Sequence, residues 1–211
     1  EPVLRRYAER REIALISAAS DLDHGQAVNA LLAACRTAMA MILDSDVEIL
    51  SDDWLSFLVN KFTACRETNP SCIALGRFRD CITTEKYLVT PTIWLAAMLI
   101  DVERYRLIAG PDDWREDNVD AADFKGKFRP PAWPPQWDGK IGVETGHGFW
   151  EKMVFGNKAG FTACELSYDF FQAKIRHYGG LSRNHERPDH PEIAPKWASL
   201  RARLAALRES R

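Results

Sequence analysis

Ala38-Met39-Ala40-Met41-Ile42-Leu43 is an unbroken apolar run that stops abruptly at Asp44-Ser45-Asp46, the sharpest change of polarity in the chain. A run of this length without alternation predicts a strand covered on both faces. Before it, residues 2–11 read as the end of a charged helix and residues 12–17 as a short buried strand. Asp21-Leu22-Asp23-His24-Gly25 predicts a turn, and the Ala- and Leu-rich stretch 26–37 predicts a helix that starts near Gly25. After it, Ser51-Asp52-Asp53 predicts the cap of a helix over Trp54–Thr68, with Leu55, Phe57, Leu58, Val59 and Phe62 as a broad core-facing side. Asn69-Pro70 stops that helix.

Residues 73–76 and 88–89 predict short strands, and 91–105 reads as a helix carrying several large apolar residues. From 110 to 142 the periodicity is lost among Pro, Trp, Asp and Lys, which predicts a long functional loop. Glu144-Thr145-Gly146-His147 opens a helix over 148–156, and 161–166 predicts a further strand. Trp54, Trp94 and Trp150 fall on apolar helix faces in this reading and are assigned to the core. A strand-like stretch then leads to His177-Tyr178-Gly179-Gly180. A polar tail, 183–195, precedes a short amphipathic helix over 196–211. The alternation of strands and helices predicts an α/β domain over residues 1–182, with 183–211 as a C-terminal tail and helix.

Composition narrows the class. A net charge of −2 over 211 residues offers no basic field, so nucleic acid is excluded as the partner. The five cysteines are odd in number, form no C-x-x-C pair and mostly sit in apolar runs, as expected of reduced thiols in the cytoplasm. The longest apolar stretch, around 93–100, falls short of the roughly 18 residues that span a bilayer.

The two aspartates at the end of the apolar strand carry the chemistry. In an open α/β sheet the carboxyl ends of the strands form the ligand crevice, so a metal site is expected there. Carboxylates are hard ligands suited to Mn²⁺ or Mg²⁺, which they share with substrate phosphates. A structural alternative stands beside this: Asp44 capping a turn and Asp46 solvated. His24, His147 and His177 could face the same site, whereas His185 and His190 lie in the polar tail. Arg77 and Arg79, flanking Phe78, are read as contacts to a diphosphate or an acceptor, or else as a solvated edge. Trp133 and Trp137 could stack on a sugar ring or plug the core.

His24-Gly25-Gln26-Ala27-Val28-Asn29-Ala30, followed by a helix and then Met41-Ile42-Leu43-Asp44-Ser45-Asp46-Val47, resembles the signature of nucleotide-sugar glycosyltransferases with the GT-A fold, family 2 in particular. That resemblance implies a three-layer α/β/α sandwich with a mixed, mostly parallel, Rossmann-like central sheet. Nothing before Arg11 fits the family's first strand, so either this chain lacks that strand or its sheet pairs differently. The implied activity is metal-dependent hexosyl transfer from a nucleotide-diphosphate sugar to an acceptor hydroxyl, with inversion. The resemblance implies Asp44, Asp46, Gly25 and Asn29 as donor contacts and Asp44, Asp46 and His177 as metal ligands; Arg77 joins the donor contacts from its place after a short strand rather than from the resemblance. It implies Glu144 as the catalytic base, although Glu144-Thr145 departs from the family's commoner Glu-Asp pair; Asp138 and Asp169 compete for the role.

The implied partners are a nucleotide-sugar donor and a saccharide or lipid-linked acceptor. The C-terminal helix is read either as a peripheral contact with the inner face of a membrane or as packing on its own domain or on a second copy in a homodimer. Two other functions remain open at this stage. A Mg²⁺-dependent nucleotidyltransferase would carry a Gly-rich basic phosphate loop near its start, and a non-catalytic α/β binding domain would show no response to metal.

Overall fold

The structure is a computed structural model that describes residues 2–10, 22–83, 87–115, 117–120, 123–124, 126–128, 139–178 and 194–209. The elements in chain order begin with α1 (Pro2–Glu9), α2 (His24–Ala34), β1 (Met39–Leu43), β2 (Val47–Ile49), α3 (Trp54–Thr68), β3 (Cys72–Arg79), β4 (Ile82–Thr83), β5 (Tyr87–Val89) and β6 (Thr92–Asp101). They continue with α4 (Val102–Arg106), β7 (Asp117–Asp120), β8 (Lys140–Val143), α5 (His147–Phe155), β9 (Thr162–Glu165), α6 (Tyr168–Ala173), β10 (Ile175–His177) and α7 (Ala194–Glu209). The fold is α/β with mixed sheets, and no helix of the described residues is long and apolar enough to cross a membrane.

The central sheet has the order β1-β6-β3-β9. Its middle strand, β6, is buried along its whole length except at Trp94. This corrects the sequence reading of 91–105 as a helix: a strand covered on both faces shows no alternation, so its apolar run looks the same as a buried helix. The correction also changes strand direction. β6 runs antiparallel to both β1 and β3, and among the described residues the parallel pairs are β3–β9 and β5–β8, so the sheet is mixed but not mostly parallel.

Apolar side chains gather on both faces of this sheet. Val28 and Leu32 of α2, Phe149 and Met153 of α5, and Ile93, Met98 and Ile100 of β6 belong to one cluster. Leu58 and Phe62 of α3, Phe170 of α6, and Ala96, Ala97 and Leu99 of β6 belong to the other. Burying each of these large side chains is worth about 1.5–3 kcal/mol, and this is the main force that fixes the layers. On α3 only Leu58 and Phe62 of the predicted core side are buried, whereas Leu55, Phe57 and Val59 are exposed. β1 is likewise half-buried rather than covered on both faces.

A bulge in β6 positions the site. Leu75 pairs with Leu99, but Arg77, only two residues on, pairs with Trp94, so the extra residues of β6 loop out between them. β1 pairs with β6 only up to Leu43↔Ala97. The stretch Thr92–Trp94, with Arg77 and Arg79 beside it, therefore projects past the point where β1 ends in Asp44. A second sheet, β4-β5-β8-β7, forms inside and around the region read as one long loop. The predicted strand at 12–17, the tail at 183–193, and Trp133, Trp137, Asp138, His185 and His190 lie outside the described residues.

Candidate active site

Asp44 and Asp46 flank the turn between β1 and β2, and a long-range strand pair brings a histidine to them. β2 pairs antiparallel with β10, placing His177 opposite Val47, the residue after Asp46. The Tyr178 amide extends the ladder by donating to the Asp46 carbonyl at 3.0 Å. His177 Nε2 then lies 2.9 Å from Asp46 Oδ1 and 3.4 Å from Asp44 Oδ2. Asp44 Oδ1 also meets His24 Nε2 at 3.2 Å. His24 opens α2, whose start is fixed by a reciprocal capping box between Asp23 and Gln26.

One ligand atom from each of Asp44, Asp46 and His177 lies within 4.8 Å of the others, the one such group among the described residues. Two carboxylates and an imidazole form a mixed oxygen and nitrogen set. That chemistry fits Mn²⁺ better than Mg²⁺, which favours oxygen ligands alone. Electrostatics hold the set together without an ion. Burial pushes the Asp44 carboxyl up, but hydrogen bonds from His177 and His24 outweigh it and hold Asp44 well below the usual carboxylate range. Burial alone would lower His177, yet its bonds to Asp44 and Asp46 outweigh that and raise it to about 9. The imidazolium thus stands where a cation is wanted between two carboxylates.

The triad opens into a cleft of about 1100 Å³. Arg77, Arg79, Trp94 and Glu144 also line it. The Trp94 ring meets His177 edge-on, with centroids 4.7 Å apart. Glu144 sits in the turn after β8, before α5 begins, rather than inside the helix. That turn is pressed against the start of β6: Thr92 Oγ1 donates to the Thr145 carbonyl at 2.7 Å. The next residue, Gly146, takes φ +90°, and a Cβ there would fall 2.9 Å from Thr92 Oγ1 and 3.0 Å from the Ile93 carbonyl oxygen, so only glycine fits. Glu144 reaches Arg79 at 3.9 Å.

The structure brings Asp44, Asp46, His177, Arg77 and Glu144 to one cleft, but not the two remaining donor positions. Gly25 faces the opposite way: a Cβ on it would lie 1.7 Å from the Trp114 carbonyl oxygen, so it is a packing glycine. Asn29 is half-buried on α2 and does not line the cleft. Asp169 is exposed on α6, also away from the cleft lining. His147 is buried at 3% exposure, with Nδ1 held 2.7 Å from the Pro91 carbonyl, and it too is absent from the lining. Asp53 makes no side-chain cap to α3 and instead receives Lys174 at 2.7 Å.

Trp94 is the cleft residue that sequence reasoning missed. A signal was present: Thr92, Ile93 and Trp94 after Pro91 are β-branched or aromatic, which favours a strand over a helix. The chain matches none of the family models, curated proteins or solved structures with which it was compared.

Proposed function

We propose that this protein is a metal-dependent glycosyltransferase that moves a hexose from a nucleotide-diphosphate donor to an acceptor hydroxyl with inversion. The observation that carries the reading is the meeting of Asp44 and Asp46, at the carboxyl end of β1, with His177 from β10. The resemblance of residues 24–47 to the GT-A signature agrees with it. Our reading includes the three-layer GT-A arrangement, a cytoplasmic setting, and a saccharide or lipid-linked acceptor presented at the inner face of a membrane.

In this reading Asp44, Asp46 and His177 would hold Mn²⁺ or Mg²⁺, and the ion would supply positive charge to offset that of a diphosphate leaving group. His177 must give up its proton to serve as a ligand, and Asp44 and Asp46 then contribute both negative charges of the set. Glu144, which lines the same cleft, serves in this reading as the base for the acceptor hydroxyl. Its carboxylate is about one-third exposed, which leaves it reachable by a substrate proton.

The test is thermal unfolding with UDP, GDP and dTDP, each with and without Mn²⁺, on the wild type and on Asp46→Ala. A ligand stabilises only the state it binds, by about 2.7 kcal/mol at a hundredfold excess over Kd. A shift that needs both the metal and one nucleotide, and that is lost in the variant, supports the transferase and names the donor class. The same shift in Asp46→Ala, or none with any pair, removes the metal-dependent reading.

A further inference from the structure

The backbone of His24 is held on both sides. Before it, Asp23 closes the capping box: its carboxylate accepts from the Gln26 amide at 2.6 Å, and the Gln26 side chain accepts from the Asp23 amide at 3.2 Å. After it, Gly25 is pressed against the Trp114 carbonyl, where a Cβ would collide. Further along α2, Val28 and Leu32 are buried in the core. The imidazole is thereby aimed from a fixed helix start at the end of β1, where Nε2 meets Asp44 Oδ1 at 3.2 Å.

A carboxylate oxygen only accepts, so Nε2 is the nitrogen that carries the proton of this bond. The contact separates the roles of the two Asp44 oxygens. Oδ1 is taken by His24, whereas Oδ2 is turned to His177, 3.4 Å away. A carboxylate bonded through one oxygen is restrained about its Cβ–Cγ bond, and a partner of this kind orients a ligand for its metal. His24 itself is outside the group of Asp44, Asp46 and His177 whose ligand atoms lie within 4.8 Å of one another.

Stability alone accounts poorly for the contact. The His24 side chain is 36% exposed, and exposed pairs add little to folding. Val28 and Leu32 already anchor α2, so the fold does not need His24 to hold the helix to the sheet.

We propose that His24 is a positioning residue of the metal site: by donating Nε2–H to Asp44 Oδ1 it fixes that carboxylate so that Oδ2 is presented, together with Asp46 and His177, to a divalent cation. The inference rests on the metal-dependent reading above and adds to it a residue that acts through Asp44 without touching the ion. The first residue of α2 thus sets the metal affinity of a strand end that is distant from it in sequence.

The experiment is titration of Mn²⁺ alone into the full chain, freed of metal beforehand, with the unbound ion followed by its electron paramagnetic resonance signal. The wild type, His24→Leu, His24→Gln and Asp46→Ala are compared, and the metal-free melting temperature of each is measured alongside. His24→Leu should weaken Mn²⁺ binding by about 10–100-fold. His24→Gln, whose side-chain amide nitrogen can stand near the place of Nε2 and donate to Asp44, should recover most of that affinity. Asp46→Ala should lose binding outright. Should His24→Leu fail to fold, His24→Asn, which is polar but too short to reach Asp44, is expected to show the same loss and takes its place.

A His24→Leu protein that melts lower but binds Mn²⁺ as the wild type does overturns the inference and leaves the metal site standing, since the contact would then be a structural tie. Binding as weak in His24→Gln as in His24→Leu also overturns it, because the imidazole itself would then be a ligand. A wild type that binds no Mn²⁺, or Asp46→Ala that binds it equally well, removes the metal-dependent reading and this inference with it.

Discussion

Two acidic centres lie within this protein, and their surroundings differ in kind. Asp113 is buried at 1% exposure and accepts hydrogen bonds from the Tyr105 hydroxyl at 3.1 Å and the Gly110 amide at 3.0 Å, with Lys152 Nζ at 2.5 Å. Trp114 Nε1 donates to Tyr105 in turn, and Lys152 also donates to the Ile108 carbonyl. Every donor in this set is tied to another part of the fold. Asp44 and Asp46 instead meet the imidazoles of His24 and His177 in an open cleft, and the His177 proton, though held up to about 9 by these contacts, is given up more readily than that of a lysine ammonium. A carboxylate held by fixed donors is structural, whereas a carboxylate pair bridged by an imidazole in a cleft is the arrangement on which our metal-site proposal rests.

The contrast is broken most severely by Asp113→Ala, which leaves Lys152 and Tyr105 without their partner. We expect a loss of about 3 kcal/mol, read from urea unfolding. A loss below about 1 kcal/mol would show that the network is replaceable and that the two centres differ less than their geometry says.

Gly25→Ala sharpens the same comparison from the packing side. Its Cβ would collide with the Trp114 carbonyl, so a loss of about 2 kcal/mol is expected in the same assay. A variant as stable as the wild type would mean that Gly25 does not pack against Trp114.

The effect of pH on metal-free protein probes the cleft centre. His177 is raised from 6.5 to about 9, so its contribution is full below pH 6.5 and is lost as pH rises through about 9. Asp44 is held low, so its contribution is present above its ordinary 3.8 and is lost on acidification. Between these limits the wild type should exceed His177→Gln by about 1–2 kcal/mol, after solvent screening in the cleft, and the gap should close toward pH 10. A gap constant from pH 6 to 10 would rule out the raised imidazolium.

The smallest stability effect should come from Glu144→Gln. Its ion pair with Arg79 is loose and exposed, so unfolding should move by less than about 0.5 kcal/mol. Transfer to the acceptor, once a donor is known, should fall by about 10²–10⁴-fold. Equal activity in the two proteins would remove Glu144 as the base.

Local features of the site were legible from residues alone. The run from Ala38 to Leu43 predicted β1, which spans Met39–Leu43, and its acidic end, and the span Trp54–Thr68 matches α3 at both ends. These features rest on neighbouring residues, because strand and helix periods are written in consecutive side chains. β6 escaped the same logic because burial on both faces erased its alternation. Gly25 misled because glycine is equally suited to a ligand contact and to close packing, and only the approach of Trp114 separates the two.

The residue types of the candidate centre were therefore set by sequence: two carboxylates at a strand end and a late histidine before Gly179-Gly180. Their meeting was decided by tertiary structure, through the pairing of β10 with β2 that sets His177 against Asp46. The bulge in β6 was decided there too, and with it the wall of Arg77, Arg79 and Trp94. Register between distant strands depends on which faces can be buried together across the whole sheet, and no short window of residues contains that information.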